Sequence, residues 1–424
     1  MGLSKDIDEL KAAGVISEET ARDIKDYYHH KQELSTNRLF MIFGVLGAIL
    51  VGLGIILIIA HNWDDLSRTV KTIFAFVPLI IGQLLCVYAK FIKKDSAVWK
   101  ESASAFLCLT VAACISLVSQ IYNIPGNLGE FLLVWMLLSL PLIYLMQASI
   151  TSLLCIVGIT WYACETSYWH YPQNTSYPYW ALMGFVLPHY LGLLRSRPSS
   201  NATFFHHWLV PLSFVLILGT LADNHGVWMS LAYMSMFGLF YLIGSTKPFQ
   251  GLVTGRNGFK VTGVIGMMVL LLMYSFDSFW DAMMNSSPVI SELILAPEFW
   301  TAVVLTAAAS ILLYKDVVKQ AQRDYMAWIY AVFAVLFLVG LFTKVPLILV
   351  NFLLFALGIY KIREGNLRNH LGVTNFGLLI IIALIICRFF DMDLSFVLRG
   401  LIFIAVGAGC FLANYRLLKR RTNA

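Results

Sequence analysis

Basic residues in this chain fall almost wholly into alternate connections between apolar stretches. That placement constrains the fold more than any motif does. Fourteen apolar stretches can be drawn, at about 39–60, 71–92, 103–122, 129–147, 149–165, 178–195, 207–222, 227–244, 260–277, 298–314, 326–343, 345–360, 372–388 and 396–415. If each crosses a bilayer, 25 of the 30 Lys and Arg residues lie on one side, in the N-terminal segment, every second connection and the tail. The other five are Arg68, Lys71, Lys344, Arg388 and Arg399. The positive-inside bias makes the richer side cytoplasmic and puts both termini there. Asp and Glu divide 13 inside and 11 outside, so formal charge is +12 inside and −6 outside, the stated +6 in total. The basic balance is thus a topology signal and points to no nucleic-acid partner.

Composition agrees. Hydrophobic residues make up 59% of the chain and charged residues 13%, with a mean hydropathy of +0.76. A soluble domain carries roughly 25% charged residues, so the excess apolar surface here needs lipid as its solvent. The expected fold is all-α, a polytopic helical membrane protein of about 14 transmembrane helices in a bacterial inner membrane. Residues 1–38 make a cytosolic helical hairpin, 39–418 the transmembrane domain and 419–424 a basic tail. A polar segment precedes the first stretch with no small-residue cleavage site after it, so that stretch reads as an uncleaved insertion signal. Two joints are ambiguous. Gln147–Ser149 and Thr343–Val345 link short stretches with almost no loop, as two spans, a re-entrant pair or one broken helix would.

In the N-terminal segment, Leu3, Ile7 and Leu10 recur at helical spacing and Gly14 stops that helix. Ser17 is placed to cap a second, with Glu18 and Glu19 in its first turn. Ile16, Ile24 and Tyr27 would face the first helix. The segment could also dock a protein partner. Small residues at four-residue spacing, Gly44, Ala48 and Gly52, then Ala405, Gly409 and Ala413, suit close helix packing. The seven cysteines all sit in or beside apolar stretches and read as small core residues.

A charge buried at mid-membrane costs at least about 2.5–3.5 kcal/mol and marks function. No Asp, Glu, Lys or Arg lies at the centre of a stretch, which counts against a proton- or sodium-coupled carrier. Gln83 and Asn351 are the best central polar residues, and each can satisfy itself against a neighbouring helix. Ionisable residues gather instead at the outer ends: Glu130, Glu165, Asp223, Asp277, Arg388, Asp391, Asp393 and Arg399. Arg388 precedes Asp391 by three residues, so the two can share a helix face. The set Arg388, Asp391 and Arg399 suits either a structural ion pair or a phosphate or carboxylate headgroup. His61, His170 and His225 could meet at a metal, but no ligand spacing supports one. No cofactor is implied. The aromatic loop 165–178 suits the membrane interface.

An N-terminal LKAAGVIS, a first stretch ending IIAHNW at Ile58–Trp63, and SQIYNIPGNLGEFLLVWMLLSLPLIYL at Ser119–Leu145 together resemble the predicted bacterial membrane proteins called domain of unknown function 2157. NFGLLIIIALIICRFFDMDLSFVLRGLIFIAVGAGCFL, near the end of the chain, resembles the closing segment of such proteins. The resemblance covers about 5–150 and 372–415 and has no activity to lend. It emphasises Asn62, Trp63, Gln120, Tyr122, Gly126, Trp135, Arg388, Asp391 and Arg399, mostly near the outer face. Pro125–Gly126 forces a turn that brings Gln120 and Tyr122 close to Glu130.

The candidate ligand-binding set is therefore Arg388, Asp391, Arg399, Glu130, Gln120, Tyr122, Asn62 and Trp63, with no catalytic residue assigned. The expected function is binding or moving a lipid or amphipathic envelope molecule through an outward-facing polar cavity. Membrane lipids are the expected partners. The alternatives are an outer-face enzyme on lipid-linked sugar or phosphate, and a membrane scaffold or sensor acting through residues 1–38.

Overall fold

The computed structural model describes residues 11, 13, 15, 17–24, 63, 65–168, 176–222, 226–285, 296–315, 324–391, 400, 401, 404 and 407–409, with the backbone alone at 285, 390 and 391. Every regular element among them is helical. The principal helices are α1 (Arg68–Phe91), α2 (Ala97–Tyr122), α3 (Leu128–Met146), α4 (Ser149–Ser167), α5 (Tyr177–Ser196), α6 (Asn201–Leu218) and α7 (Val227–Ile243). Then come α8 (Gly258–Met273), α9 (Asp277–Asn285), α10 (Pro297–Leu313), α11 (Ile329–Gly340), α12 (Val345–Leu367) and α13 (Leu371–Asp391). Each apolar stretch from 71–92 to 372–388 thus contains a helix. The first stretch, most of the last, and both small-residue stripes except Gly409 lie outside the described residues.

Among the described residues, seven helices are long and apolar enough to cross a membrane: α1 to α4, α6 with its short extension to Leu221, α12 and α13. The number rises to eight if α8 and α9, bent by 79° at their break, form one span. The apolar helices α7 and α10 have 17 residues. At 1.5 Å per residue each rises about 25 Å, short of a hydrocarbon core of about 30 Å. The structure therefore supports a multi-span membrane protein with seven or eight candidate spans among the described residues.

Local chemistry explains the boundaries. Ser96 caps α2, its hydroxyl accepting from Trp99 N at 3.4 Å, and Asn123 ends it in the left-handed region at φ 51°. Asn127 opens α3 by accepting from Glu130 N at 2.8 Å. The joint at Gln147 resolves into two full helices. Gln147 adopts φ 53°, and α3 and α4, of 19 residues each, pack against one another. At the second joint α11 stops at Gly340 and α12 starts at Val345, and these too pack together.

The chain divides into two compact units, Met1–Phe76 and Val77–Ala424. In the first, residues 18–24 are helical and the Ser17 hydroxyl accepts from Thr20 N at 3.2 Å, which is the expected cap. Lys11 pairs with Glu18, and that hydrogen bond and charge hold the Glu18 carboxyl below its usual range. Lys71 lies 5.7 Å from the centre of the Trp63 ring.

In the second unit, α4 packs against α2, α3, α5 and α6, while α7 packs against α8, α10 and α11. Close approaches rest on glycine. A Cβ on Gly263 of α8 would stand 2.6 Å from Phe237 O and Tyr241 N of α7. One on Gly377 of α13 would stand 2.7 Å from Gly358 O and Ile362 N of α12. In lipid, where apolar surface gives no net drive to associate, such contact between backbones supplies the packing energy. Cys86, Cys108, Cys114 and Cys155 are buried as free thiols, as core residues would be.

Candidate functional site

The break between α8 and α9 collects polar groups from three directions. Residues Tyr274 to Phe276 interrupt the helix, which frees backbone carbonyls that lipid cannot satisfy. Side chains satisfy them. The buried Trp280 indole donates to Tyr274 O at 2.8 Å, and Asn351 Nδ2 on α12 donates to Ser275 O at 3.1 Å and to Leu347 O at 2.8 Å. The Asn351 amide nitrogen is thus satisfied on its own helix and a neighbour, as its sequence position suggested, while its Oδ1 is buried without a hydrogen-bond partner. Trp280 can sit there because Gly340 leaves room. A Cβ on Gly340 would lie 2.1 Å from the indole ring.

Arg388 reaches this break from α13. Its Nη2 donates to Ser275 Oγ at 3.4 Å, and its guanidinium lies 5.1 Å from the centre of the Phe276 ring. Lys344, ahead of α12, pairs with Asp277 at 3.0 Å and Asp281 at 2.6 Å across the start of α9. Those hydrogen bonds, donated first to Asp281 and then to Asp277, raise the Lys344 pKa above the usual lysine value. Asp277, expected to close a span, instead opens α9. This nine-residue helix has too few apolar residues to announce itself in a hydropathy reading.

A cleft of about 570 Å³ runs between α6, α7 and α8. Leu212 and Val215 line it from α6, Tyr233 from α7, and Ile265, Val269 and Met273 from α8. Thr262 lies near its other end, eleven residues before Met273, so the cleft follows α8 for about 17 Å at 1.5 Å per residue. Its lining is almost wholly apolar, and the residue after Met273 begins the break.

The other expected site residues lie elsewhere or outside the described set. Gln120 and Tyr122 end α2, and Glu130 lies in the first turn of α3; all three are exposed around the Asn123–Asn127 connection. The turn expected at Pro125–Gly126 falls instead at Asn123, in the left-handed region, and residues 124–127 run on to α3 without a regular turn. Trp135 is a packing tie, its indole donating to Cys108 O of α2 at 2.8 Å. Trp63 belongs to the first compact unit. Asn62, Arg399 and the Asp391 side chain lie outside the described residues, as do His61, His170 and His225.

Sequence reasoning missed a second constellation, on α2, α4, α5 and α6. His206 on α6 is fully buried, its Nδ1–H donating to Ala202 O at 2.8 Å and its Nε2 2.9 Å from Ser152 Oγ on α4. His207, also buried, has Nδ1 2.7 Å from the Tyr190 hydroxyl of α5, whose ring stacks on His206 with 5.7 Å between centres. The His189 ring lies 6.2 Å from that of His206. Nearby, Glu101 of α2 reaches the first turn of α4, its two oxygens accepting from Ser149 N at 2.8 Å and Ile150 N at 2.7 Å. Two adjacent histidines at the start of an apolar stretch, with a third inside the preceding one, were the available signal; counting only formal charges hid it. Among the described residues, no group of three or more His, Cys, Asp or Glu could hold a metal ion.

Residues 8–152 match the family described as predicted membrane protein (DUF2157). The match runs from the N-terminal segment through α1, α2 and α3 into α4. It includes Asn62, Trp63, Gln120, Tyr122 and Glu130, as well as Glu101 and Ser152, and stops well before Arg388. No curated protein and no solved structure matches the chain.

Proposed function

We propose that this membrane protein binds an amphipathic envelope molecule, a lipid with an anionic headgroup. Its apolar part would lie in the α6–α8 cleft and its headgroup at the α8–α9 break. One adjacency carries the reading: an apolar groove along α8 ends at Met273, and the next three residues form the break that Arg388 reaches. Guanidinium recognises phosphate and carboxylate in a planar, two-pronged geometry. An apolar trough with a few convergent polar groups at one end is the ordinary form of a small-molecule site. The charge pattern of the connections supports an outward-facing end in a bacterial inner membrane, in a chain of about 14 spans with both termini cytoplasmic.

The test is mass spectrometry of lipids that co-purify with the protein taken from native membrane. Wild type is compared with Ile265→Trp, which fills the cleft from an exposed position, and with Arg388→Gln. Both variants should lose the same anionic lipid while keeping wild-type circular dichroism. Identical lipid profiles in three folded proteins would refute the reading.

A further inference from the structure

Two connections on the side that the charge pattern makes cytoplasmic carry cations and no acid. Arg195, in the last turn of α5, and Arg197 lead into α6, while Lys247 and Arg256 lie between α7 and α8. From Thr166 to Phe276 the chain holds one acid, Asp223, in the connection at the opposite ends of α6 and α7. The other basic connections of that side differ. Asp95 follows Lys94, Asp316 follows Lys315 and Glu364 follows Arg363. Glu364 pairs with Lys361 at 2.7 Å and with Arg368 at 3.2 Å. Arg195, Arg197, Lys247 and Arg256 form no ion pair among the described residues. Positive-inside topology needs cations on this side and is little affected by acids, so the missing acids are not a topology signal.

The fold joins these two connections into one face. Arg256 Nη1 donates to Ser199 O at 2.9 Å and Nη2 to Asn201 Oδ1 at 3.0 Å. Trp208 of α6 donates its indole N–H to Gly255 O at 3.1 Å, and a Cβ on Gly258 would stand 2.3 Å from His207 O. Buried Asn257 closes the α7–α8 connection on itself, its Nδ2 donating to Gly244 O at 2.7 Å. The acceptors around Arg256 are neutral, so they fix the guanidinium and leave its charge uncompensated. Lys260 turns away, its Nζ 5.1 Å from the centre of the Tyr241 ring, whose hydroxyl donates to Asp324. Arg195, Arg197 and Lys247 are exposed. Val253, on the same connection as Lys247 and Arg256, is 73% exposed. Clustered cations repel one another until an anion arrives, and an apolar side chain beside them suits the boundary between headgroups and acyl chains. A soluble anion would have no use for the valine.

We propose that this face binds anionic lipid headgroups of the adjoining leaflet, with Arg195, Arg197, Lys247 and Arg256 as the cations and Val253 inserted beside them. The headgroup phosphates meet positive charges that no carboxylate of the two connections competes for. The site goes beyond the cleft reading and stands without it, since none of these residues lines the cleft or touches the break.

The experiment is photocrosslinking of the full chain in vesicles of equal parts phosphatidylglycerol and phosphatidylcholine, with the lipid adducts read by mass spectrometry. Benzoylphenylalanine replaces Val253 in one protein and Val98 in another. Val98 is 74% exposed in the first turn of α2, between Asp95 and Glu101. Phosphatidylglycerol should be enriched severalfold among the adducts at Val253 and not at Val98. Combining Arg195→Gln, Arg197→Gln and Lys247→Gln should abolish the enrichment, each cation contributing up to about fivefold. Arg256 stays in place because it holds the two connections together, and an unchanged circular dichroism spectrum reports that the variant is folded. Arg388→Gln should leave the enrichment intact, which separates this face from the lipid of the cleft. Equal adduct ratios at Val253 and Val98, or enrichment that survives the three substitutions, would overturn the proposal. So would loss of the enrichment on adding inorganic phosphate at constant ionic strength, which would make a soluble anion the occupant.

Discussion

Glu101→Ala should destabilise the protein by about 2–3 kcal/mol, because α4 borrows its N-terminal cap from another helix. Ala148 stands at the N-cap of α4 with no side-chain hydrogen bond to offer. The Glu101 carboxylate supplies the missing acceptors, at 2.8 Å from Ser149 N and 2.7 Å from Ile150 N. Hydrogen bonds to a charged acceptor contribute about 1.5–3 kcal/mol each, and an anion at a helix N-terminus gains further from the dipole. The two bonds are not worth the same. Ile150 is 45% exposed, so water can replace Glu101 there, while Ser149 is 6% exposed and its N–H would be left without a partner. The loss should therefore be close to one full charge-assisted bond plus a small remainder. Glu101→Gln keeps one acceptor oxygen and should lose about 1 kcal/mol. Ala148→Ser puts a cap on the chain itself and should restore about 1 kcal/mol in the Glu101→Ala background and far less in wild type. The assay is unfolding by added SDS in mixed micelles, followed by circular dichroism, with the four proteins forming a double-mutant cycle. A Glu101→Ala protein within about 0.5 kcal/mol of wild type, or an Ala148→Ser gain that is the same with and without Glu101, would refute the argument.

Three other substitutions test the packing and the break. Gly377→Ala places a methyl 2.7 Å from two backbone atoms of α12, where ordinary contact begins at 3.4 Å; the helices must part, and the same unfolding assay should show a loss of about 1–3 kcal/mol. Asn351→Leu removes the donor to Ser275 O and should cost about 0.6–2 kcal/mol, the range for interhelical hydrogen bonds in membranes; no loss would mean that the break is satisfied in another way. Lys344→Gln removes the link to Asp277 and Asp281. Because the folded pKa of Lys344 is raised, its contribution is fully present below the unfolded lysine value of about 10.4 and is lost as pH rises through the folded value. Thermal unfolding should therefore show a gap between wild type and Lys344→Gln that is constant near neutral pH and closes only in strongly alkaline solution; a gap that closes near neutrality would contradict the link.

Much of the helix pattern was legible because it is written in short-range terms. Apolar run lengths locate α1 to α8 and α10 to α13, and Ser17 marks a start that the cap geometry bears out; Ser96 and Asn127 cap α2 and α3 in the same way. The tight joint at Gln147 was ambiguous because a left-handed Gln is not an obvious turn residue, whereas a glycine there would have declared itself. The break at Tyr274–Phe276 was hidden for a related reason. Nothing in its three residues forbids a helix, and it is held open by Trp280 and Asn351 from elsewhere in the chain.

The site was less legible than the fold. Arg388 stood out because a cation breaks the charge bias of its side, yet its neighbours Ser275 and Phe276 lie more than a hundred residues away. His189, His206 and His207 carry no formal charge in the count, so the topology argument passed over them. What the sequence determined by itself is the solvent and the element type: runs of apolar residues with few charges demand lipid, and lipid demands helices whose backbones satisfy themselves. Only the tertiary structure decided which polar side chains meet. Inside a bilayer a hydroxyl, imidazole or carboxylate must find a partner on another helix. The choice depends on which helix faces which, and on where a glycine lets two backbones come close, and no local pattern records either.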